Sequence, residues 1–183
     1  MEERLKSDKV RFRKSCLRRL KRLAHRNNMA RDRRVVRRLY ETIREENARR
    51  VMLYIPMDTE VDLNPLIRLL RRERREVLVP FMEGASFRLV KYRYPLRIKK
   101  FGIKEPIDSK QHRNRQIDLA VVPIVGTDVT LRRIGFGKGM YDRFYEREKR
   151  YIKKTVFVTR ELCFSKRVVS DRFDVEADML IVP

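Results

Sequence analysis

Apolar residues along this chain come in two kinds of run. From Lys9 to Arg26, Val10, Cys16, Leu17, Leu20 and Leu23 fall mostly three or four apart, with Arg and Lys between them. That is one stripe on a helix, and Ser7 or Asp8 is suited to cap its start. A second helix is predicted from about Ala30 to Arg44, with Val35, Val36, Leu39, Tyr40 and Ile43 inward. The pattern then changes. "VMLYIP", Val51 to Pro56, is short, continuous and apolar, which reads as a buried strand stopped by proline. Asn64-Pro65 opens a helix whose core face is Leu66, Ile67, Leu69 and Leu70, and "EVLVPF", Glu76 to Phe81, is a second buried strand. Strand, helix, strand at this spacing is a βαβ unit, which implies a parallel sheet with a right-handed crossover.

The same alternation continues to the end. "SFRLVKY", Ser86 to Tyr92, suits an edge or hairpin strand, and "IDLAVVP", Ile117 to Pro123, a buried one. A glycine-rich loop follows, then a helix opening near Tyr141 and running through Asp142 to Lys149. "KTVFVT", Lys154 to Thr159, and "MLIVP", Met179 to Pro183, supply the last strands. The expectation is one three-layer α/β domain over 1–183, with a helical pair at 1–46 ahead of a sheet-forming core at 47–183.

The glycine loop concentrates the candidate chemistry. Of six glycines in the chain, Gly135, Gly137 and Gly139 stand at alternate positions between Arg133 and Tyr141. Bare backbone between a strand and a helix lets N–H groups approach an anion closely, and the helix N-terminus adds its dipole. Lys138 adds a mobile charge and Arg133 a guanidinium that can grip phosphate oxygens, while Asp142 is a hard oxygen ligand suited to Mg²⁺. The spacing is that of neither the P-loop nor the dinucleotide fingerprint.

Charge sharpens this picture. Lys and Arg number 47 against 25 Asp and Glu, a formal net charge of +22. Such a field attracts anions: phosphorylated metabolites, nucleic acid or an acidic membrane surface. The arginines mostly fall on outer helix faces, where solvation is the default reading, and His25 and His112 are assigned no role. Two cysteines, Cys16 and Cys163, lie far apart without a C-x-x-C motif, so two reduced thiols are expected. No apolar run reaches membrane-spanning length and the N-terminus lacks a signal-peptide core, so a cytoplasmic protein is expected.

The string Arg133-Ile-Gly-Phe-Gly-Lys-Gly-Met-Tyr-Asp-Arg-Phe144 closely resembles the signature of 5-formyltetrahydrofolate cyclo-ligases, also called methenyltetrahydrofolate synthetases. "KSCLR" (14–18), "DTEVD" (58–62), "FGIKEP" (101–106), "IDLAVVP" (117–123) and "DVEAD" (174–178) resemble other blocks of that family, in its order. The chain departs from the family pattern at Leu63, Phe81, Ile124, Thr127 and Met140.

The resemblance implies an open, mostly parallel Rossmann-like sheet of the NagB/RpiA/CoA transferase-like kind, with N-terminal helices. It implies a ligase of one-carbon metabolism that uses ATP and Mg²⁺ to close 5-formyltetrahydrofolate to 5,10-methenyltetrahydrofolate, with ADP and phosphate as products. By this likeness Lys14, Arg18, Arg133, Ile134, Gly135, Phe136, Gly137, Lys138, Gly139, Met140 and Tyr141 bind ATP. Arg133 and Lys138 are also catalytic. Ile55, Glu60, Phe136 and Met140 contact the folate, and Asp142 and Asp174 share the metal. A monomer is expected, acting on folate with or without extra glutamates. The alternative is a basic nucleic-acid-binding protein on a degenerate cyclo-ligase fold, with nonspecific affinity for phosphate backbones.

Overall fold

The computed structural model describes residues 2–98, 104–106 and 116–183. Helices α1 (Glu2–Ala24) and α2 (Met29–Glu45) precede strand β1 (Arg50–Met52), helix α3 (Asn64–Arg72) and strands β2 (Glu76–Glu83) and β3 (Ser86–Lys91). Short strands β4 (Leu96–Ile98) and β5 (Lys104–Pro106) come next, then β6 (Leu119–Pro123), β7 (Gly126–Asp128) and β8 (Arg133–Ile134). Helix α4 (Met140–Glu148) and strands β9 (Thr155–Val158), β10 (Phe164–Ser165) and β11 (Met179–Ile181) complete the chain.

The main sheet has the order β11-β9-β6-β1-β2-β3. All its pairings are parallel except β2 with β3, an antiparallel hairpin at the edge. Successive residues on a strand point to opposite faces, and the two apolar cores follow that rule. Val51, Val77, Val79, Leu119, Val121, Val156 and Val158 face α2 and α3, meeting Val35, Leu39, Ile43, Leu66, Ile67 and Leu70. Met52, Leu78, Ala120, Val122 and Phe157 face the other way, onto Phe144 and Tyr145 of α4. This is the expected three-layer arrangement. The strand order reverses between β1 and β6, and in such sheets the crevice beyond the strands' carboxyl ends at the reversal is where ligands bind.

Several elements differ from the sequence reading. Helix α1 begins at Glu2, ahead of Lys9, so Ser7 and Asp8 lie within it and cap nothing. The residues before Lys9 are mostly Glu, Arg, Leu and Lys, strong helix formers that need no apolar stripe to extend a helix. The ladder of β1 ends at Met52 with one further bond, Leu53 N to Leu78 O at 2.8 Å. The rest of "VMLYIP" leaves the sheet. Leu63, not Asn64, holds the cap position of α3, and Asp62 accepts both Asn64 N and Asn64 Nδ2, at 2.9 and 2.7 Å.

The segment after β6 is more than a loop. Strands β7, β8 and β10 form a second, small sheet, and β4 pairs with β5. Each of these is only two or three residues long, too short to show a period. Helix α1 docks on the small sheet through a separate cluster: Cys16 and Leu20 against Val125 and Cys163, with Phe12, Leu17 and Phe136 alongside. Here the expectation of two reduced thiols is corrected, because Cys16 and Cys163 form a disulfide across a separation of 147 residues. Distance along the chain says nothing about distance in the fold. Among the described residues, no helix is long and apolar enough to cross a membrane.

Candidate active site

A cleft of about 380 Å³ opens beyond the carboxyl ends of β1 and β2, a size typical of small-molecule sites. Tyr54, Ile55, Met57 and Glu60 form one side, on the chain leaving β1. Pro80, Met82, Gly84, Ala85 and Phe87 contribute from the β2–β3 hairpin, and Lys104 from β5. Arg133, Phe136, Lys138 and Gly139 of the glycine loop close the opposite side, with Met140, Tyr141 and Arg143 of α4.

The glycine loop is built around Arg133. This arginine is only 4% exposed, donates Nε to Pro123 O at 3.0 Å, and lays its guanidinium over the Tyr141 ring at 4.6 Å. A methyl group on Gly135 would lie 2.1 Å from Arg133 Nη1, so only glycine leaves room for that guanidinium. Gly137 and Gly139 have φ of +90° and +63°, the left-handed region where a side chain is strained. Gly139 caps α4, which turns the free N–H groups of its first turn toward the loop.

Glu60 faces this arginine from across the cleft. It is 7% exposed, and its Oε2 accepts Met57 N at 2.9 Å. Burial lifts its carboxyl to a pKa of about 7, against the opposing pull of the Met57 hydrogen bond and the charges of Arg133 and Arg160. Burial likewise pushes the phenols of Tyr54 and Tyr141 far up, so both stay neutral donors. Tyr54 Oη donates to Val61 O at 3.1 Å. The loop carrying Glu60 is pinned from behind: Arg160 forks onto Asp32, with Nε to Oδ1 at 2.9 Å and Nη2 to Oδ2 at 2.8 Å, and reaches Asp58 O at 2.5 Å.

The structure divides the candidate residues. Ile55, Glu60, Arg133, Phe136, Lys138, Gly139, Met140 and Tyr141 all line the cleft. Ile134, Gly135 and Gly137 belong to the loop's scaffold rather than to the cleft lining. Lys14 and Arg18 are exposed on the outer face of α1. The α1 cation bonded to the glycine loop is instead Arg13, while Lys9 meets the acidic pair Asp171 and Asp174. Arg13 Nε donates to Gly135 O at 2.9 Å, and Lys9 Nζ bonds Asp171 Oδ2 at 2.7 Å and Asp174 Oδ2 at 2.5 Å.

A signal for this pair was present. Lys-x-x-x-Arg occurs twice in α1, and only Lys9 and Arg13 are in phase with Cys16 and Leu20, the residues that dock the helix. Arg143, Tyr54 and Lys104 were also missed. Arg143 lay inside the quoted signature and Lys104 inside "FGIKEP", whereas Tyr54 sat in a strand run with no motif. His25 is exposed, while His112 and Phe101 to Ile103 of "FGIKEP" lie outside the described residues. Glu105 of that block is 1% exposed and accepts Met82 N at 3.0 Å, fixing the end of β2 beside the cleft.

Asp142 and Asp174 have different surroundings. Asp142 Oδ1 is buried with no hydrogen-bond partner among the described residues, an acceptor available to a cation or donor. Asp174 is already neutralised by Lys9, and burial raises its pKa in spite of that contact. Among the described residues, no group of three or more His, Cys, Asp or Glu side chains converges to hold a metal unaided.

A glycine-built loop at a strand-to-helix junction, beside a cleft of small-molecule size at the carboxyl ends of a mostly parallel sheet, defines an α/β protein of the open-sheet class. The model of the 5-formyltetrahydrofolate cyclo-ligase family matches residues 5–183, and the chain belongs to that family. It is similar to the 5-formyltetrahydrofolate cyclo-ligase of Haemophilus influenzae, at 30% identity over 108 residues, which are 55% of this chain and 58% of that one. The Escherichia coli K12 enzyme of the same name is 22% identical over 148 residues, 74% of this chain and 79% of its own. The 5,10-methenyltetrahydrofolate synthetase of Aquifex aeolicus superposes with a TM-score of 0.75 at 30% identity, covering 94% of this chain and 88% of that one. The synthetase of Mycoplasma pneumoniae shares the fold, with a TM-score of 0.74 at 21% identity over 96% and 98% of the two chains.

Proposed function

We propose that this protein catalyses the ATP-dependent cyclisation of 5-formyltetrahydrofolate to 5,10-methenyltetrahydrofolate. The observation that carries this reading is that Lys138 and Gly139 of the glycine loop share one cleft with Ile55 and Glu60. Charged, phosphate-compatible groups thus stand opposite an apolar wall with a single buried carboxyl. Family membership and the likeness to named cyclo-ligases support the same reading.

In this reading the formyl oxygen of the folate attacks the γ-phosphorus of ATP and ADP departs. N10 then attacks the activated formyl carbon, gives up its proton, and phosphate leaves with the former formyl oxygen. Such a transfer needs positioning and charge neutralisation more than covalent help. The N–H groups around Gly135, Gly137 and Gly139, with Arg133 and Lys138, are our candidates for holding the triphosphate. From α1 we assign Lys9 and Arg13 to the phosphates in place of the exposed Lys14 and Arg18.

Ile55, Phe136 and Met140 would pack the pterin, and Glu60 would bond its polar edge. Magnesium, which keeps several waters and takes one or two carboxylates beside phosphates, would neutralise charge on the nucleotide. The orphaned Asp142 Oδ1 fits it; Asp174, held by Lys9, fits it less well.

The test is product formation. Wild-type protein with ATP, Mg²⁺ and 5-formyltetrahydrofolate should generate the near-UV absorbance of the methenyl product, and Lys138→Ala should lose at least about a hundredfold in rate. Absence of product from the wild type overturns the proposal.

A further inference from the structure

One residue of the signature has no part in the scheme above and yet touches both walls of the cleft. Arg143, in the first turns of α4, donates Nε and Nη2 to Ala85 O at 2.8 and 2.5 Å, and Nη2 also to Lys138 O at 2.5 Å. Ala85 lies in the β2–β3 hairpin turn on the folate side, and Lys138 in the glycine loop on the triphosphate side. These two segments belong to different parts of the fold. The hairpin turn is at the edge of the main sheet, and a Cβ on Gly84 would meet nothing within 4 Å, so the tip lacks packing of its own. Ser86 Oγ to Met140 O at 3.2 Å and Arg147 Nη2 to Phe87 O at 3.0 Å help dock the hairpin on α4. Of these side chains, only Arg143 also bonds the glycine loop.

The third glycine of the loop fits the same arrangement. A Cβ on Gly139 would stand 2.7 Å from Arg143 Nη1, so the guanidinium occupies space that any other residue would take. Among the described residues its hydrogen bonds go to carbonyl oxygens rather than to a carboxylate.

We propose that Arg143 is a positioning residue: it clasps the hairpin turn to the glycine loop and so sets the distance between the folate-side and triphosphate-side walls. This rests on the proposed two-substrate reaction, in which the formyl oxygen and the γ-phosphorus must meet. A shift of about 1 Å in such a geometry lowers the rate by about a hundredfold.

The test compares wild type, Arg143→Ala and Arg143→Lys in ring closure, with hydrogen–deuterium exchange on the segments around 84–87 and 136–139. Arg143→Ala should lower kcat by about tenfold to a hundredfold, with a smaller rise in KM for both substrates. Exchange should quicken in both segments together while the melting curve stays cooperative. Lysine keeps the charge but cannot fork onto two carbonyls, so Arg143→Lys should restore only part of kcat.

The clasp is overturned if Arg143→Ala keeps kcat and leaves exchange unchanged. It is equally overturned if only one substrate's KM rises with exchange unchanged, which would make Arg143 a ligand contact. If the alanine variant fails to fold, the lysine variant carries the test on the same two readouts. Should the wild type form no methenyl product, the functional reading falls, and the exchange data still decide whether Arg143 couples the two segments.

Discussion

Glu60 carries the most perturbed carboxyl beside the cleft, and its perturbation can be measured. Its pKa is raised from 4.5 to about 7 by burial. Between those values the folded protein keeps a proton that the unfolded chain releases. This group's contribution to stability is therefore intact below about pH 4.5 and declines as pH rises toward 7. The full loss is about 3 kcal/mol. Glu60→Gln removes the titration while keeping the shape. Urea unfolding should show the variant gaining stability relative to wild type by roughly that amount between pH 4.5 and pH 8. A stability difference that is the same at both pH values would show that Glu60 is not held in a desolvated site. Glu60 stood out in the sequence only through its motif, because desolvation depends on what the fold places around a residue. Arg133 is similar: its place beside bare backbone was legible, whereas its stacking on Tyr141 was not.

At the scale of elements, α1 is held differently from the other helices. It packs on the small β7–β8–β10 sheet rather than on either face of the main one. Its anchors are the Lys9 contacts to Asp171 and Asp174, the Arg13 bond to Gly135 O, the ion pair of Arg19 with Glu161, and the disulfide. A cross-link closing so long a stretch of chain restricts the unfolded state strongly, by about 2–4 kcal/mol in typical cases. Reduction, or Cys163→Ser, should lower stability by that order and quicken amide exchange along α1. An unchanged melting temperature and unchanged α1 protection after verified reduction would contradict this. The buried strands were readable because they are continuous apolar runs ended by proline or charge, and α2 and α3 because their stripes are regular. The short strands were not readable, since two or three residues form no pattern and their pairing is decided by the rest of the fold. Lys14 and Arg18 share the spacing of Lys9 and Arg13 but stand on the exposed side of α1, because spacing alone does not fix helix phase.

For the molecule as a whole, topology and charge act together. The reversal of strand order between β1 and β6 creates the crevice, and the β2–β3 hairpin and the glycine loop wall it. The parallel sheet followed from reading βαβ units along the chain, whereas the strand order and the hairpin wall did not. The net charge of +22 is spread mainly over outer helix faces such as Arg33, Arg34 and Arg37 of α2, which are exposed. Among the described residues, the cations that line the cleft are Lys104, Arg133, Lys138 and Arg143. The overall field draws anions toward the protein, while those few residues decide what they meet. The central claim is that the glycine loop presents a nucleotide's terminal phosphate to a folate in the adjoining cleft. The most direct measurement is the ratio of ADP released to methenyl product formed in a single reaction. One ADP per product, with both lost together in Lys138→Ala, is the predicted result. Methenyl product formed without ADP, or ADP released at the same rate whether or not the folate is present, would contradict it.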